Sequence, residues 1–380
     1  MQTNKKRILI VITMIIISSI IITGCTENEQ NPKEKNSNEQ NEQKQIITTM
    51  GRISKNETWS GVVNVTGDIT VESGATLTIL PGTNVWIKAQ HDDQNIHSFV
   101  DYVFNCEVVP CNEYMDPPIE IVDENLIHIV VLGKLVAKGT PDNWINIHSD
   151  AEEPTPWDWI GISANYAELE YVNMSNYVQM GFIQGNCTAR NCYFSMTKTC
   201  PVCTSYNSEI MIIEHNHFVK TGGEMVDTHF SKPAPTIRYN IFGPGIDKNA
   251  NAIMVDSSEP VITHNIFLEN MTIFFLDSQG PVDAGEITYN EFSENTTIDF
   301  GCSNPAFKNN NYYGKIHLNQ ECSTRPILDL SGNYWGTTDI ESIKARIKAS
   351  NGLSAEREYN LEPILTEPVD IDRENIGIQQ

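Results

Sequence analysis

The stretch that decides the fold is ITHNIFLEN, residues 262–270. Its pattern is an apolar residue followed shortly by Asn, one further residue and an aromatic residue. The same pattern returns in IEHNHF ending at Phe218, in IRYNIF ending at Phe242 and in ITYNEF ending at Phe292. We align the motif on seven asparagines, at intervals of 21 to 25 residues: Asn191, Asn216, Asn240, Asn265, Asn290, Asn311 and Asn333. A repeat of this length predicts an array of stacked structural units.

Each unit contains short β-type runs, such as EIMII, PVI and TIFFL, separated by residues that favour turns. No helical periodicity interrupts residues 160–330, so the pattern favours an all-β solenoid, a right-handed parallel β-helix with rungs of about 21 to 25 residues. In such a coil equivalent side chains stack about 4.8 Å apart. We expect Asn to form a left-handed corner and an amide ladder. The expected interior columns are Ile213, Ile237, Ile262 and Ile287, and Phe194, Phe218, Phe242, Phe267, Phe292, Tyr313 and Trp335.

Three longer stretches carry a resemblance to a known family: WSGVVNVTGDITVESGATLTILPGTNVWI (59–87), VLGKLVAKGTPDNWINIHSD with WIGI (131–162), and SGNYWGTTDIESIKARI (331–347). They resemble the right-handed parallel β-helix family, which has the fold of pectate lyases, and especially its exported prokaryotic surface proteins. The resemblance implies a β-helix over residues 46–366 that a short C-terminal helix closes. Thr338-Asp339-Ile340-Glu341 is typical of a capping box that starts this helix. The fold hosts lyases, hydrolases, isomerases, adhesins and metal-delivery proteins, so the resemblance implies no single activity.

The N-terminal residues predict export. Residues 1–25 have a basic start, an apolar run and a lipobox-like Ile22-Thr23-Gly24-Cys25, which is typical of a lipoprotein signal peptide with Cys25 as the lipid-bearing residue. The alternative, an uncleaved membrane helix, is disfavoured because the apolar run is shorter than the roughly 20 residues of a span. We expect a disordered polar tether over 26–45, an inserted acidic loop over 90–125 and a C-terminal tail over 367–380. The expected location is the outer face of the cell membrane.

The charge and the cysteines agree with an exported protein. The formal net charge of −24 disfavours nucleic-acid partners, which need a basic surface. The eight cysteines beyond Cys25 predict disulfides among Cys106, Cys111, Cys187, Cys192, Cys200, Cys203, Cys302 and Cys322. A zinc site formed by Cys187, Cys192, Cys200 and Cys203 is the alternative for those four residues. Six Asn-x-Ser/Thr sequons permit glycosylation: Asn56, Asn64, Asn173, Asn186, Asn270 and Asn295.

Two sets of side chains are candidates for chemistry. Asp227, Asp256 and Asp277 each follow an apolar pair and precede Thr or Ser, so stacked carboxylates there would bind Ca²⁺. In polysaccharide lyases of the resembled fold such clusters hold calcium and a nearby base abstracts a proton. Arg238 and Lys232 are the candidate catalytic bases. The alternative is that these Asp residues only form turns. The second set, His215, Tyr239, His264 and Tyr289, predicts a stacked column able to bind a metal or a sugar.

The leading hypothesis is a lipid-anchored cell-surface protein that binds carbohydrate or another surface partner without catalysis, because long faces made of repeats suit extended polymers. The alternative is a calcium-dependent polysaccharide lyase or hydrolase that uses the stacked Asp residues. The two differ in one requirement. The enzyme needs the Asp side chains to converge beside Arg238 or Lys232.

Overall fold

A computed structural model describes residues 46–94, 125–205, 209–229, 231, 233, 235–246, 250–276, 278, 280–318, 322, 325–349 and 357–380. The predicted signal peptide, Cys25, the tether, and Cys106 and Cys111 of the acidic loop lie outside these residues. Among the residues that the structure describes, no helix is long and apolar enough to cross a membrane.

The strands form a parallel β-helix, as the repeat predicts. Each rung contributes one strand to each of three parallel sheets, and each strand pairs with its equivalents in the rungs before and after. Sheet A contains Asn84–Ile87, Ile145–Ser149, Val172–Tyr177, Tyr193–Thr197, His217–Thr221, Ile241–Phe242, Ile266–Phe267, Glu291–Phe292 and Asn311–Tyr312.

Sheet B follows sheet A along each rung, and sheet C follows sheet B. Sheet B contains Gly181–Phe182, Val202–Ser205, Val226–His229, Asn251–Asp256, Thr272–Leu276, Thr297–Asp299, Lys315–Leu318 and Ile347–Ala349. Sheet C contains Glu57–Trp59, Thr76–Ile79, Cys187–Arg190, Met211–Glu214, Thr236–Arg238, Val261–Thr263, Glu286–Thr288 and Ala306–Lys308. Early rungs use long strands that bend from one sheet to the next: Ile46–Ile53 and Val62–Val71 join A to B, and His128–Lys138 and Gly161–Glu170 join B to C.

The interior is filled by stacked apolar columns. Phe194, Phe218, Phe242, Phe267 and Phe292 stack with centroid distances of 5.3, 5.1, 5.0 and 4.6 Å, and all are buried. These columns confirm the predicted core, because parallel pairing in register places each side chain above its counterpart.

The predicted column is wrong at its end by one residue. Tyr312, and not Tyr313, pairs with Phe292 and is fully buried, and its ring then contacts that of Trp335. Tyr313 instead lies at the surface beside Tyr334. Because side chains alternate between the two faces of a strand, a slip of one residue moves a side chain from the core to the outside.

An asparagine ladder runs along the corner between sheets C and A. Its members are Asn216, Asn240, Asn265, Asn290, Asn310 and Asn333, all completely buried. From Asn240 onward, each side-chain Oδ1 accepts hydrogen bonds from the backbone N–H and the Nδ2 of the previous asparagine, at 2.9 to 3.1 Å. The predicted ladder is therefore confirmed, but Asn191 and Asn311 are not part of it.

The left-handed corner is occupied by the residue that precedes each ladder asparagine. His215, Tyr239, His264 and Tyr289 have φ between 54 and 58°, and Asn191 and Asn309 hold the same conformation in their rungs. The expectation that the ladder asparagines themselves are left-handed is wrong. Asn191 occupies the corner one position before the ladder, so the next residue, Cys192, donates its backbone N–H to Asn216.

The C-terminal part of the fold contains the predicted short helix, Ile340–Lys344, which buries Ile343 at the end of the core. The proposed capping box is wrong, because Asp339 is the N-cap and makes no side-chain cap hydrogen bond. A separate two-stranded sheet pairs Leu328–Asp329 with Tyr359–Asn360, and Arg373–Asn375 form a 3₁₀ turn.

The cysteines divide into two groups. Cys200 and Cys203 lie at disulfide distance with a Cα–Cα separation of 5.6 Å, and so do Cys302 and Cys322 at 5.2 Å. The prediction of disulfides is wrong for Cys187 and Cys192, since both thiols are free and buried. Burial raises the pKa of each of these two thiols to about 12, so they remain protonated at neutral pH.

Candidate functional site

The structure does not assemble the predicted stack of Asp side chains. Asp227 pairs across the rungs with Met254, whereas Asp256 lies opposite His229. Asp277 and the candidate base Lys232 lie outside the described residues. The spacing of 29 residues between Asp227 and Asp256 is two residues longer than their rung, which places them at different positions of sheet B.

Asp256 behaves as a structural carboxylate. It is completely buried, and its Oδ2 receives hydrogen bonds from His229 Nδ1 at 2.9 Å and from Ser278 Oγ at 2.8 Å. Burial acts to raise the pKa of Asp256, but the hydrogen bonds from His229 and Ser278 outweigh it and hold that pKa below its usual value. Its oxygens are therefore already used in joining neighbouring rungs.

Asp227 has the opposite character. Its Oδ1 is buried and has no hydrogen-bond partner. Burial raises the pKa of Asp227 well above its usual value, and the nearby carboxyls of Glu224 and Asp256 raise it further. Within the described residues no group of three or more His, Cys, Asp or Glu side chains is placed to hold a metal ion. The described residues therefore give no support to a calcium site at the Asp residues or to the alternative zinc site at the cysteines.

The remaining candidate base, Arg238, lies on a different sheet. It belongs to sheet C, where its Nε donates to Glu214 at 2.6 Å, while Arg190 donates to the other oxygen of Glu214 from the opposite side. Burial acts to raise the pKa of Glu214, but the two guanidinium groups outweigh it and lower that pKa. Arg238 is thus a partner in a charged row along sheet C, and the structure does not bring it to the Asp residues of sheet B.

The predicted aromatic and histidine column does form. His215, Tyr239, His264 and Tyr289 stack with centroid distances of 5.0, 5.0 and 5.2 Å. Burial is the main cause that lowers the pKa of His264, and its Nδ1 lies 2.8 Å from Thr263 Oγ1. The column carries two imidazoles that alternate with phenol rings, so it forms a stacked corner rather than a convergent set of metal ligands.

The described surface also has a groove that the sequence did not reveal, which we call the Tyr166 groove. Its volume is about 640 Å³, within the range of ligand sites in proteins. It crosses the early rungs of sheet C, between the turn at residues 73–76, the bend at residues 132–134 and the outward side chains of the next strands. The side chains that give it chemical character are Thr76, Lys134, Tyr166, Glu168, Asn186, Thr188 and Arg190.

The Tyr166 ring is the exposed apolar surface of this groove, with 40% of the residue accessible. Gly185 makes room for it, because a Cβ there would clash with the ring and with the Asn165 carbonyl oxygen. Gly185 has φ of +70°, which L side chains rarely adopt, so two constraints favour glycine at this position.

The charged groups of the groove are held in ion pairs. Glu168 binds both Lys134 and Lys138, and these hydrogen bonds lower the pKa of Glu168. Arg190 uses its Nε for Glu214. A guanidinium has five N–H donors, so this pairing leaves other donors of Arg190 for a ligand. The groove therefore offers fixed polar groups around one exposed ring.

Comparison of the chain with protein-family models, with curated proteins and with solved structures finds no match.

Proposed function

We propose that this protein is a non-catalytic, exported binding protein that holds an oligosaccharide segment in the Tyr166 groove. The observation that carries the proposal is the exposed Tyr166 ring surrounded by hydrogen-bonding groups in a concave site. A sugar ring presents C–H groups on its faces and hydroxyl groups around its edge. An aromatic ring accepts the faces, while amide, hydroxyl and charged side chains bind the edge.

The glycan is a neutral one. The net charge of −24 disfavours a polyanionic ligand. Lys134 and Lys138 share Glu168, and Arg190 and Arg238 share Glu214, so both cations that line the groove already have an ion-pair partner. Hydroxyl groups suit this arrangement, since they both donate to carboxylates and accept from cations.

The lipid anchor at Cys25 belongs to the same proposal. In this proposal the anchor and the polar segment 26–45 would place the glycan-binding domain at the cell surface. The calcium-dependent lyase or hydrolase receives no such support, because Asp256 is engaged by His229 and Arg238 lies on another sheet.

A glycan array tests the proposal with the unit from Lys44 to Gln380, which is compact by itself. We expect binding to neutral oligosaccharides that falls at least tenfold in Tyr166→Ala and is retained in Tyr166→Phe, since the phenyl ring keeps the apolar platform. Tyr289→Ala is the matched control, because Tyr289 is exposed to a similar extent, 37%, at another corner. Binding that survives Tyr166→Ala, or that is lost equally in Tyr289→Ala, would exclude the groove as the site.

A further inference from the structure

The C-terminal segment, residues 369–380, packs back along the outside of the solenoid, and we call it the strap. Val369 lies against Asn311, Gly377 N donates to the Tyr239 carbonyl oxygen at 2.7 Å, and Gln379 N donates to Asn191 Oδ1 at 2.9 Å. The strap therefore runs along the solenoid axis toward the earlier rungs, across the ends of the sheet A strands. The sequence predicts only a tail here.

Asn311 shows how this face holds a polypeptide. Its Oδ1 accepts the Val369 N–H at 2.8 Å, and its Nδ2 donates to the carbonyl oxygen of the same residue at 2.9 Å. The primary amide thus pairs with the backbone of one residue, as a neighbouring strand does in a sheet. Further contacts add to this pair, since Ile371 is buried and Arg373 forms an ion pair with Glu291.

Asn311 belongs to a column that extends well beyond the strap. Register pairing gives the column, one residue per rung, as Ile46, Val62, Asn84, Asn146, Asn173, Tyr193, His217, Ile241, Ile266, Glu291 and Asn311. The strap covers the later part, and Gln379 near its end contacts Asn191, the corner residue two positions before Tyr193. Three consecutive early positions, Asn84, Asn146 and Asn173, are again asparagines.

These three asparagines, with Trp86 and His148 beside them, form what we call the amide face. Asn146 Nδ2 donates to Asn84 Oδ1, and Asn173 Nδ2 donates to Asn146 Oδ1, both at 3.2 Å. A primary amide has two N–H donors and two oxygen lone pairs. The hydrogen bonds between these three side chains therefore leave donors and acceptors free for a ligand. The side chains are half-buried and repeat about every 4.8 Å along the axis.

Trp86 and His148 give the amide face an apolar border. Their ring centroids lie 3.8 Å apart, and 37% of Trp86 is exposed. Burial lowers the pKa of His148, so the imidazole is neutral at neutral pH. The residues that define the face are thus uncharged, with an aromatic edge.

We propose that the amide face binds an extended polypeptide segment of a partner protein through its backbone. The strap supports this occupant, because it is a polypeptide that the same column already holds by an Asn amide pair. Sheet edges are not needed for this recognition, since the strands of these rungs are paired on both sides. The site lies on sheet A, so it is independent of the glycan site proposed on sheet C.

Fluorescence anisotropy tests the proposal with the full chain and a fluorescein-labelled peptide of residues 366–380. We expect saturable binding that a scrambled peptide reproduces and that backbone N-methylation at alternate residues abolishes, because the backbone is what is recognised. Asn146→Asp removes the free N–H donors and should weaken binding about 3- to 10-fold, the value of one or two hydrogen bonds. Asn251→Asp, at a half-buried asparagine of sheet B, should leave binding unchanged.

Three outcomes would overturn the proposal. The first is an absence of binding to the folded chain, with folding checked by circular dichroism. The second is binding that Asn311→Asp changes and Asn146→Asp does not, because the peptide would then only be exchanging with the strap. The third is displacement of the peptide by a neutral hexasaccharide in a manner that depends on Asn146, which would assign the amide face to glycans.

Discussion

Replacing Asn265 by alanine tests the contribution of the buried ladder to stability. The Asn265 side chain takes part in five hydrogen bonds of 2.9 to 3.0 Å, four of them buried. Its Oδ1 accepts from the backbone and side chain of Asn240, and its Nδ2 donates to the carbonyl oxygens of Ile237 and Thr263 and to Asn290 Oδ1. A buried hydrogen bond contributes about 1 kcal/mol net, and a buried donor left without an acceptor costs about 1 to 3 kcal/mol.

We therefore expect Asn265→Ala to reduce the free energy of unfolding by about 3 to 5 kcal/mol, a large fraction of the roughly 5 to 15 kcal/mol of an ordinary domain. Urea titrations followed by circular dichroism measure the change from the midpoint and the slope. Asn251→Ala is the matched control, because this asparagine is half-buried and lies outside the ladder. A difference between the two variants of less than about 1 kcal/mol would refute the reasoning, since one hydrogen bond would then account for it.

Two further predictions concern buried titratable groups. The folded-state pKa of Asp227 is raised, so stability falls as pH rises from about 4, the unfolded value, through the folded pKa. The thermal midpoint of Asp227→Asn should match that of the parent near pH 3 and exceed it at pH 7. The control Asp142→Asn, at an exposed residue, should give a curve of midpoint against pH that runs parallel to that of the parent. Equal midpoints for Asp227→Asn and the parent at both pH values would contradict the prediction. Cys187 and Cys192 should not react with a thiol reagent at pH 8 in the folded chain and should both react in urea, because burial raises their pKa to about 12. Rapid labelling without denaturant would show that these thiols are accessible.

The sequence predicted the solenoid because one column of side chains is repeated in every rung with the same geometry. The predicted register failed where the sequence is degenerate. Residues 309–311 are three asparagines and residues 312–313 are two tyrosines, so either register satisfies the pattern. The rung there is 20 residues long, and the buried positions are Asn310 and Tyr312. Hydrogen bonding of the ladder decides between registers, and it depends on the neighbouring rung.

The candidate site could be predicted less well, because it depends on contacts between distant segments. Turns and strands from separate segments between Ser73 and Arg190 build the Tyr166 groove, and no local sequence motif marks these segments. The strap makes contacts across long stretches of sequence: Val369 lies 58 positions after its partner Asn311, and Gln379 lies 188 positions after its partner Asn191. The Asp residues appeared equivalent because of their local motif, but the length of the rung placed Asp227 and Asp256 at different positions. The local sequence motif thus predicted the strands correctly, but it predicted the alignment of the Asp side chains between rungs incorrectly.

The most direct test of the central claim combines binding and turnover in one sample. A neutral oligosaccharide selected on the array is titrated into the unit from Lys44 to Gln380 by calorimetry, and the same mixture is then incubated and analysed for cleavage products. The account predicts saturable binding that is lost in Tyr166→Ala, with the oligosaccharide recovered intact. Shortened or unsaturated products, or binding unchanged in Tyr166→Ala, would contradict a non-catalytic glycan-binding groove.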